Sequence, residues 1–147
     1  MKKFIFLSHK ADAKFQAFGK TLEELFENAA SAMFFLFLNS KIKVKDNINK
    51  KIKVQGTDLE SLLYNFLEEF LFLFDSKQFL SSEIKKMKIT RIGKINENKS
   101  KYVLEAEVCG DNAESYNIIG NIKAVTYNQM FIKKNKGGFV CQVVLDM

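Results

Sequence analysis

The sequence predicts an α+β fold in which two amphipathic helices pack on one side of a mixed, mostly antiparallel β-sheet. Three observations carry that expectation. Two stretches repeat apolar residues at helical spacing, and most of the remainder alternates apolar and polar residues between turn signals. A strand-glycine-helix unit also occurs twice, because "GKTLEELFEN" (Gly19 to Asn28) and "GTDLESLLYN" (Gly56 to Asn65) align without gaps, thirty-seven residues apart. At 147 residues the chain is the size of one ordinary domain, taken as 1–147, long enough to bury roughly 70% of the surface an unfolded chain exposes.

The elements follow in order. Phe4 to Leu7 form a short apolar run, "SHKAD" is a polar break, and "AKFQAFG" alternates with Phe15 and Ala17 on one face. In the first helix Thr21 and Glu24 have capping-box spacing, and Leu22, Leu25, Phe26, Ala29, Met33 and Phe37 share a face. The second unit repeats this. "KKIKVQG" places Ile52 and Val54 together, Thr57 and Glu60 offer the capping pair, and Leu59, Leu62, Leu63, Phe66, Phe70 and Phe74 form the apolar stripe. Phenylalanine at helical period reads as core rather than as a platform for nucleobases. "DSKQFLSS" (75–82) reads as a polar connector. Five strands are then expected, "EIKKMKITRI", "KYVLEAEVCG", "NIKAVTYN", "MFIKKN" and "GFVCQVVLD", broken by "NENKS", "GDNAES" and "NKGG". Gly137 and Gly138 can take positive φ, which makes Asn135 to Gly138 a hairpin turn and tethers the last strand.

Composition excludes several classes. Cys109 and Cys141 have no CxxC or Cys/His spacing, which argues against a disulfide framework or a zinc site and suits a reducing, cytoplasmic setting. The opening "MKKFIFLSH" has too short an apolar run for an export signal. "MFFLFL" and "FLFLF" fall well below the about 20 apolar residues of a membrane span. No membrane association is expected. Net charge is +6, but 22 of the 23 basic residues are lysine, Arg91 being the exception. Arginine is the residue suited to bidentate phosphate and base contacts. Lys41, Lys43, Lys45, Lys51, Lys53, Lys86 and Lys88 alternate as solvated strand faces do.

The chain ends "CQVVLDM", with Asp146 closing an apolar, β-branched run. Asp12 begins a strand just after a turn, so the two carboxylates can share a sheet rim. With the carboxylate of Met147 they would make an all-oxygen cluster whose repulsion a hard cation relieves. The pattern also admits Asp12 as a turn residue accepting backbone N–H bonds and Asp146 as a solvated terminus.

Four blocks, in order, resemble one family: "HKADAKFQAFGKTLEELFENAASAMF" (His9 to Phe34), "DLESLLYNFLEEFLFLFD" (Asp58 to Asp75), "IKAVTYNQM" (Ile122 to Met130) and the terminal "VVLDM". They are similar to those of the archeases. The resemblance implies a protein that is not itself an enzyme. It implies a metal-binding activator of the GTP-dependent RNA ligase that joins a 2′,3′-cyclic phosphate or 3′-phosphate to a 5′-hydroxyl in tRNA splicing or RNA repair. Such an activator promotes guanylylation of the ligase and its multiple turnover. The implied ligands of a divalent cation (Mg²⁺, Mn²⁺ or Ca²⁺) are Asp12 and Asp146, with Met147 completing the oxygen set, and Lys123 is implied to face the ligase and its phosphates. The partner is the ligase, RNA is met only through it, and a monomer is expected.

Lys10 stands where the family pattern has threonine, Asn39 where it has an acidic residue, and Asn128 where many members have histidine. A third carboxylate ligand is therefore not expected. His9, the sole histidine, suits a hydrogen bond at the turn better than a hard-cation shell. A metal-independent interaction or chaperone-like domain of the same fold is the alternative that Lys10 and Asn39 motivate. A stand-alone phosphoesterase would need a positioned base and nucleophile that the sequence does not supply.

Overall fold

The computed structural model describes residues 2–7, 12–38, 42–93, 101–118 and 120–147. Strand β1 (Phe4–Leu7) pairs with β2 (Asp12–Gly19), which runs into helix α1 (Leu22–Leu38). Strand β3 (Ile48–Gly56) runs likewise into α2 (Leu59–Lys77). The repeat seen in the sequence is thus a repeat of backbone. A Cβ on Gly19 would stand 2.4 Å from the Leu25 backbone nitrogen, and one on Gly56 2.4 Å from that of Leu62. Each helix begins so close to the end of its strand that only glycine fits. Asn28 Nδ2 then donates to the Phe18 carbonyl at 2.6 Å, and Asn65 Nδ2 to the Gln55 carbonyl at 2.7 Å, tying the second helical turn back to the strand in both units.

The helix starts differ from one another. In α1 the Glu24 N–H donates to Thr21 Oγ1 at 3.1 Å, as expected, while Glu24 Oε1 accepts from the Lys20 N–H at 3.4 Å. In α2 the capping pair is Asp58 with Ser61, not Thr57 with Glu60. Asp58 Oδ1 accepts from the Ser61 N–H at 2.7 Å and Ser61 Oγ accepts from the Asp58 N–H at 3.1 Å. The gapless repeat itself aligns Asp58 with Thr21, and a carboxylate there both caps the helix and complements its dipole.

Beyond α2 the expected connector over 75–82 is mostly structured. The helix continues to Lys77, Gln78 caps it in the left-handed conformation at φ 51°, and β4 (Phe79–Ile92) starts at once with Phe79 and Leu80 buried. Strand β5 (Lys101–Asn112) ends in a 3₁₀ turn at Ala113–Ser115. The expected break "NENKS" lies outside the described residues. The two strands expected over 121–135 are one, β6 (Ala124–Asn135), interrupted by a bulge between Thr126 and Phe131. Strand β7 (Gly138–Asp146) follows a two-residue turn in which Gly137 has φ 93°. Gly138 serves packing, since a Cβ there would lie 2.2 Å from the Gly19 carbonyl oxygen.

The strands divide into a four-stranded sheet, β1-β2-β7-β6, and a three-stranded sheet, β3-β5-β4, with every described pairing antiparallel. Helix α1 packs on β2 and reaches β4, and α2 packs on β3 and reaches β6, so each helix ties one sheet to the other. The phenylalanine stripes meet inside: the Phe26 and Phe66 ring centroids are 5.9 Å apart, Phe34 and Phe70 4.8 Å, and Phe37 and Phe74 4.7 Å. Lys51, Lys53, Lys86 and Lys88 are exposed on the three-stranded sheet, where Lys86 reaches Glu107 at 3.8 Å. Lys43 and Lys45 differ from expectation, lying in a segment, 42–47, without strand pairing.

Candidate metal centre

Strand alternation decides where the carboxylates point. On β2, Phe15 and Ala17 are fully buried, and on β7 so are Cys141, Val143 and Leu145. The intervening positions therefore project from the opposite face of the sheet. Asp12 and Asp146 are two such positions. They are direct partners in the β2-β7 register, Asp12 at the first residue of its strand and Asp146 at the last of its own. Direct partners have Cα atoms about 4.5–5.5 Å apart and side chains on one face. A slip of one residue would turn both aspartates into the core and the apolar residues out, so burial of Phe15, Val143 and Leu145 enforces the juxtaposition.

The other side of Asp146 is closed by β6. Ala124 is its register partner there, and the Lys123 N–H donates to the Asp146 carbonyl at 2.8 Å. Asp12, Asp146 and Lys123, separated by up to 134 positions in the chain, thus meet at one rim, with Asp12 half-buried and the other two exposed. Met147 follows directly and packs part of its side chain against the core, which anchors the backbone beside Asp146. Two like charges placed directly across a strand pair repel each other. Their chemistry fits a hard divalent cation, which takes carboxylate and main-chain oxygens together with water. Among the described residues no group of three or more His, Cys, Asp and Glu side chains is placed to hold a metal. The oxygen donors that the β2-β7 register brings together are the carboxylates of Asp12 and Asp146, with the backbone of Met147 beside them. His9, Lys10 and Asn39 lie outside the described residues.

A polar network behind the carboxylates was not anticipated from sequence. Lys14 Nζ donates to Gln129 Oε1 at 2.8 Å, Gln16 Nε2 to Gln142 Oε1 at 3.0 Å, and Gln142 Nε2 to the Gln129 carbonyl at 2.9 Å. It fastens the β6 bulge, where Gln129 has φ 57°. Thr126 Oγ1 donates to the Val144 carbonyl at 2.8 Å and accepts from the Asn128 N–H at 3.3 Å. Isolated glutamines carry no local pattern, so their role emerges only from the pairing. From the helix side, Glu68 Oε2 accepts from the Val125 N–H at 3.4 Å, and Tyr64 stacks on Tyr127 with centroids 4.3 Å apart and planes 7° from parallel. These contacts from α2 brace the segment that carries Lys123. The signal available in the sequence was the i, i+4 spacing of Tyr64 and Glu68. Desolvation, followed by Tyr64 and Asp58, raises the Tyr127 hydroxyl above its usual range.

Neither cysteine is placed for chemistry at the rim. Both are free and buried. Burial pushes the Cys141 thiol up to about 12, against a smaller opposing effect of a backbone hydrogen bond with Ala17.

Comparison with known proteins agrees with this architecture over its whole length. Residues 4–147 match the Archease protein family (MTH1598/TM1083). The protein archease of Methanosarcina barkeri is 40% identical over 148 residues, covering 99% of this chain and 97% of that protein. That of Thermococcus kodakarensis is 35% identical over 150 residues, covering 100% of both. Among solved structures, the solution structure of Methanobacterium thermoautotrophicum protein 1598 has a TM-score of 0.77 at 31% identity, with 100% of each chain covered.

Proposed function

Because the chain belongs to the archease family, we propose that it is a cytoplasmic, non-catalytic activator of a GTP-dependent RNA ligase, promoting ligase guanylylation and multiple turnover in tRNA splicing or RNA repair. The observation that carries this reading is the register of Asp12 against Asp146 with Lys123 bonded to the same residue. An oxygen-rich pair and a cation at one exposed rim are what a protein needs in order to bring positive charge to another protein's phosphates.

The residues that would hold the cation are Asp12 and Asp146, joined by a backbone oxygen of Met147. Two carboxylates leave room in a six- to eight-oxygen shell for water and for groups of the partner. Bound there, Mg²⁺, Mn²⁺ or Ca²⁺ supplies charge stabilisation to phosphoryl oxygens. The chain's own contributions are to orient the carboxylates through the β2-β7 register and to hold Lys123 beside them as a point charge for phosphate. The main-chain bond from Lys123 to Asp146 fixes that spacing and leaves the ammonium in solvent, ready to be desolvated by a partner. RNA is then met through the ligase, and the activator works as a monomer.

The test is a multiple-turnover ligation assay with the GTP-dependent ligase of the same cell, run beside thermal melts with and without Mg²⁺, Mn²⁺ or Ca²⁺. A ligand held only by the folded state raises the melting temperature. Asp12→Ala and Asp146→Ala are expected to lose both the cation-induced shift and most stimulation. Lys123→Ala is expected to keep the shift and lose stimulation. If the two aspartate variants stimulate like wild type, the cation reading is wrong and the metal-independent alternative stands. If wild type itself fails to stimulate, the activator reading falls.

A further inference from the structure

At the opposite end of the four-stranded sheet lies a second concave feature. Asp12 and Gly19 are the two ends of β2, which at the usual rise per residue puts this feature about 23 Å from the carboxylate rim. Here a cleft of about 540 Å³ has an apolar floor of Ile5, Phe18 and Phe139, and Lys2, Lys20 and Lys136 stand around it. Among the described residues no carboxylate lines it. The volume falls in the range of small-molecule sites, which combine mostly apolar walls with a few convergent polar groups.

The backbone makes the cleft a built feature. The Phe18 N–H donates to the Lys3 carbonyl at 3.0 Å, which fixes the start of the chain against β2. The contact between Gly138 and the Gly19 carbonyl brings the β6-β7 turn down onto the strand end, and nothing lies within 4 Å of a Cβ on Gly137, so the space above the turn is open. The adjoining depression shares Lys2, Phe18 and Lys20 but contains Glu24 and Glu27. Glu27 is raised above the usual carboxylate range by burial first and then by Glu24 and Glu23, with Lys3 opposing. Acidic charge is therefore concentrated on the α1 side, and the side toward Lys136 is cationic alone.

We propose that this cleft binds a small amphipathic anion, a planar ring carrying a phosphate, the class to which mononucleotides belong. Three lysines around one opening suit a dianionic group, which charge-assisted hydrogen bonds hold more strongly than neutral ones. The rings of Phe18 and Phe139 and the side chain of Ile5 suit a flat apolar body. The site is independent of the carboxylate rim and of the ligase.

Titration of the full-length, ¹⁵N-labelled chain with adenosine 5′-monophosphate, adenosine or inorganic phosphate tests it. The monophosphate is expected to give saturable shifts confined to the amides of Ile5, Phe18 to Lys20 and Lys136 to Phe139. Adenosine and phosphate alone are expected to bind at least tenfold more weakly, as is the Lys20→Glu/Lys136→Glu variant. Lys136→Ala, on an exposed turn, is the milder variant should the double reversal disturb the fold, and it is expected to weaken binding several-fold. Asp146→Ala is expected to bind as wild type does. Shifts spread over the lysine face of the other sheet, equal binding of inorganic phosphate, or undiminished binding by Lys136→Ala would each overturn the proposal.

Discussion

The two strand-glycine-helix units share a backbone and differ at their outer ends. Position for position, Gly19 answers Gly56, Asn28 answers Asn65, and Thr21 answers Asp58. Carried back along the strands, the same offset sets Asp12 against Asn49. Asp12 faces Asp146 across its sheet, whereas Asn49 faces Cys109, whose Sγ lies 3.9 Å from Asn49 Oδ1. One unit therefore ends in a pair of carboxylates and the other in a neutral pair on an equivalent scaffold. The glycine, the asparagine and the helix start are architecture, and the chemistry has been placed where the architecture imposes least, at a strand terminus.

The sharpest way to break this equivalence is to fill the glycines. Neither Gly19 nor Gly56 has a positive φ, so alanine strains no dihedral there and acts only through its Cβ, which would overlap a backbone nitrogen at 2.4 Å in each unit. Backbone cannot move aside as a side chain can. Gly19→Ala and Gly56→Ala are each expected to cost about 3 kcal/mol or more, read from urea midpoints. Tolerance of either one would show that its helix can lift off its strand, and the units would no longer count as one structure used twice.

The asparagines sharpen the comparison on a smaller scale. Both donate to the carbonyl just before the glycine, but Asn28 is 8% exposed and Asn65 lies in solvent. Truncation leaves the Phe18 carbonyl without that donor in a dry setting, while water replaces the donor at Gln55. Asn28→Ala is expected to cost about 2 kcal/mol and Asn65→Ala less than about 1 kcal/mol. Equal losses in the same denaturation series would mean that burial does not set the difference.

How far these features could be read from sequence follows from their range. The repeat, the helix faces and the closing hairpin depend on neighbours within a few turns, and each was legible. The capping pair of α2 was displaced by one residue because Thr57 and Asp58 are adjacent candidates, and only alignment with Thr21 separates them. The strand beginning at Phe79 was hidden by the polar residues around it, and the β6 bulge contains no glycine or proline to mark it. Alternation located Asp12 and Asp146 at strand ends. That they are register partners depends on pairing between opposite ends of the chain, which no local pattern encodes. Lys123 was singled out by family resemblance alone, because an exposed lysine has no signature of its own.

The smallest expected effect separates the cores of the two sheets by pH. Cys141 pairs with Ala17, and the matching position opposite Val54 is Leu104, which has no proton to lose. Burial raises the Cys141 thiol from 9.0 to about 12. Between those values the folded protein keeps a proton that the unfolded chain releases, so this thiol contributes a stability that is full below about pH 9 and falls as pH rises toward 12. The slope amounts to about 1.4 kcal/mol per pH unit in that window. Other groups titrate there as well, so the measurement is a difference: urea midpoints of wild type and Cys141→Ala at about pH 8 and about pH 10. Alanine leaves a small cavity and lowers stability at both values, but it carries no proton. Wild type is expected to lose about 1 kcal/mol more than the variant between the two pH values. If both lose the same amount, the thiol ionises in the folded state as readily as in the unfolded one, and the four-stranded sheet is wetter around Cys141 than its full burial implies.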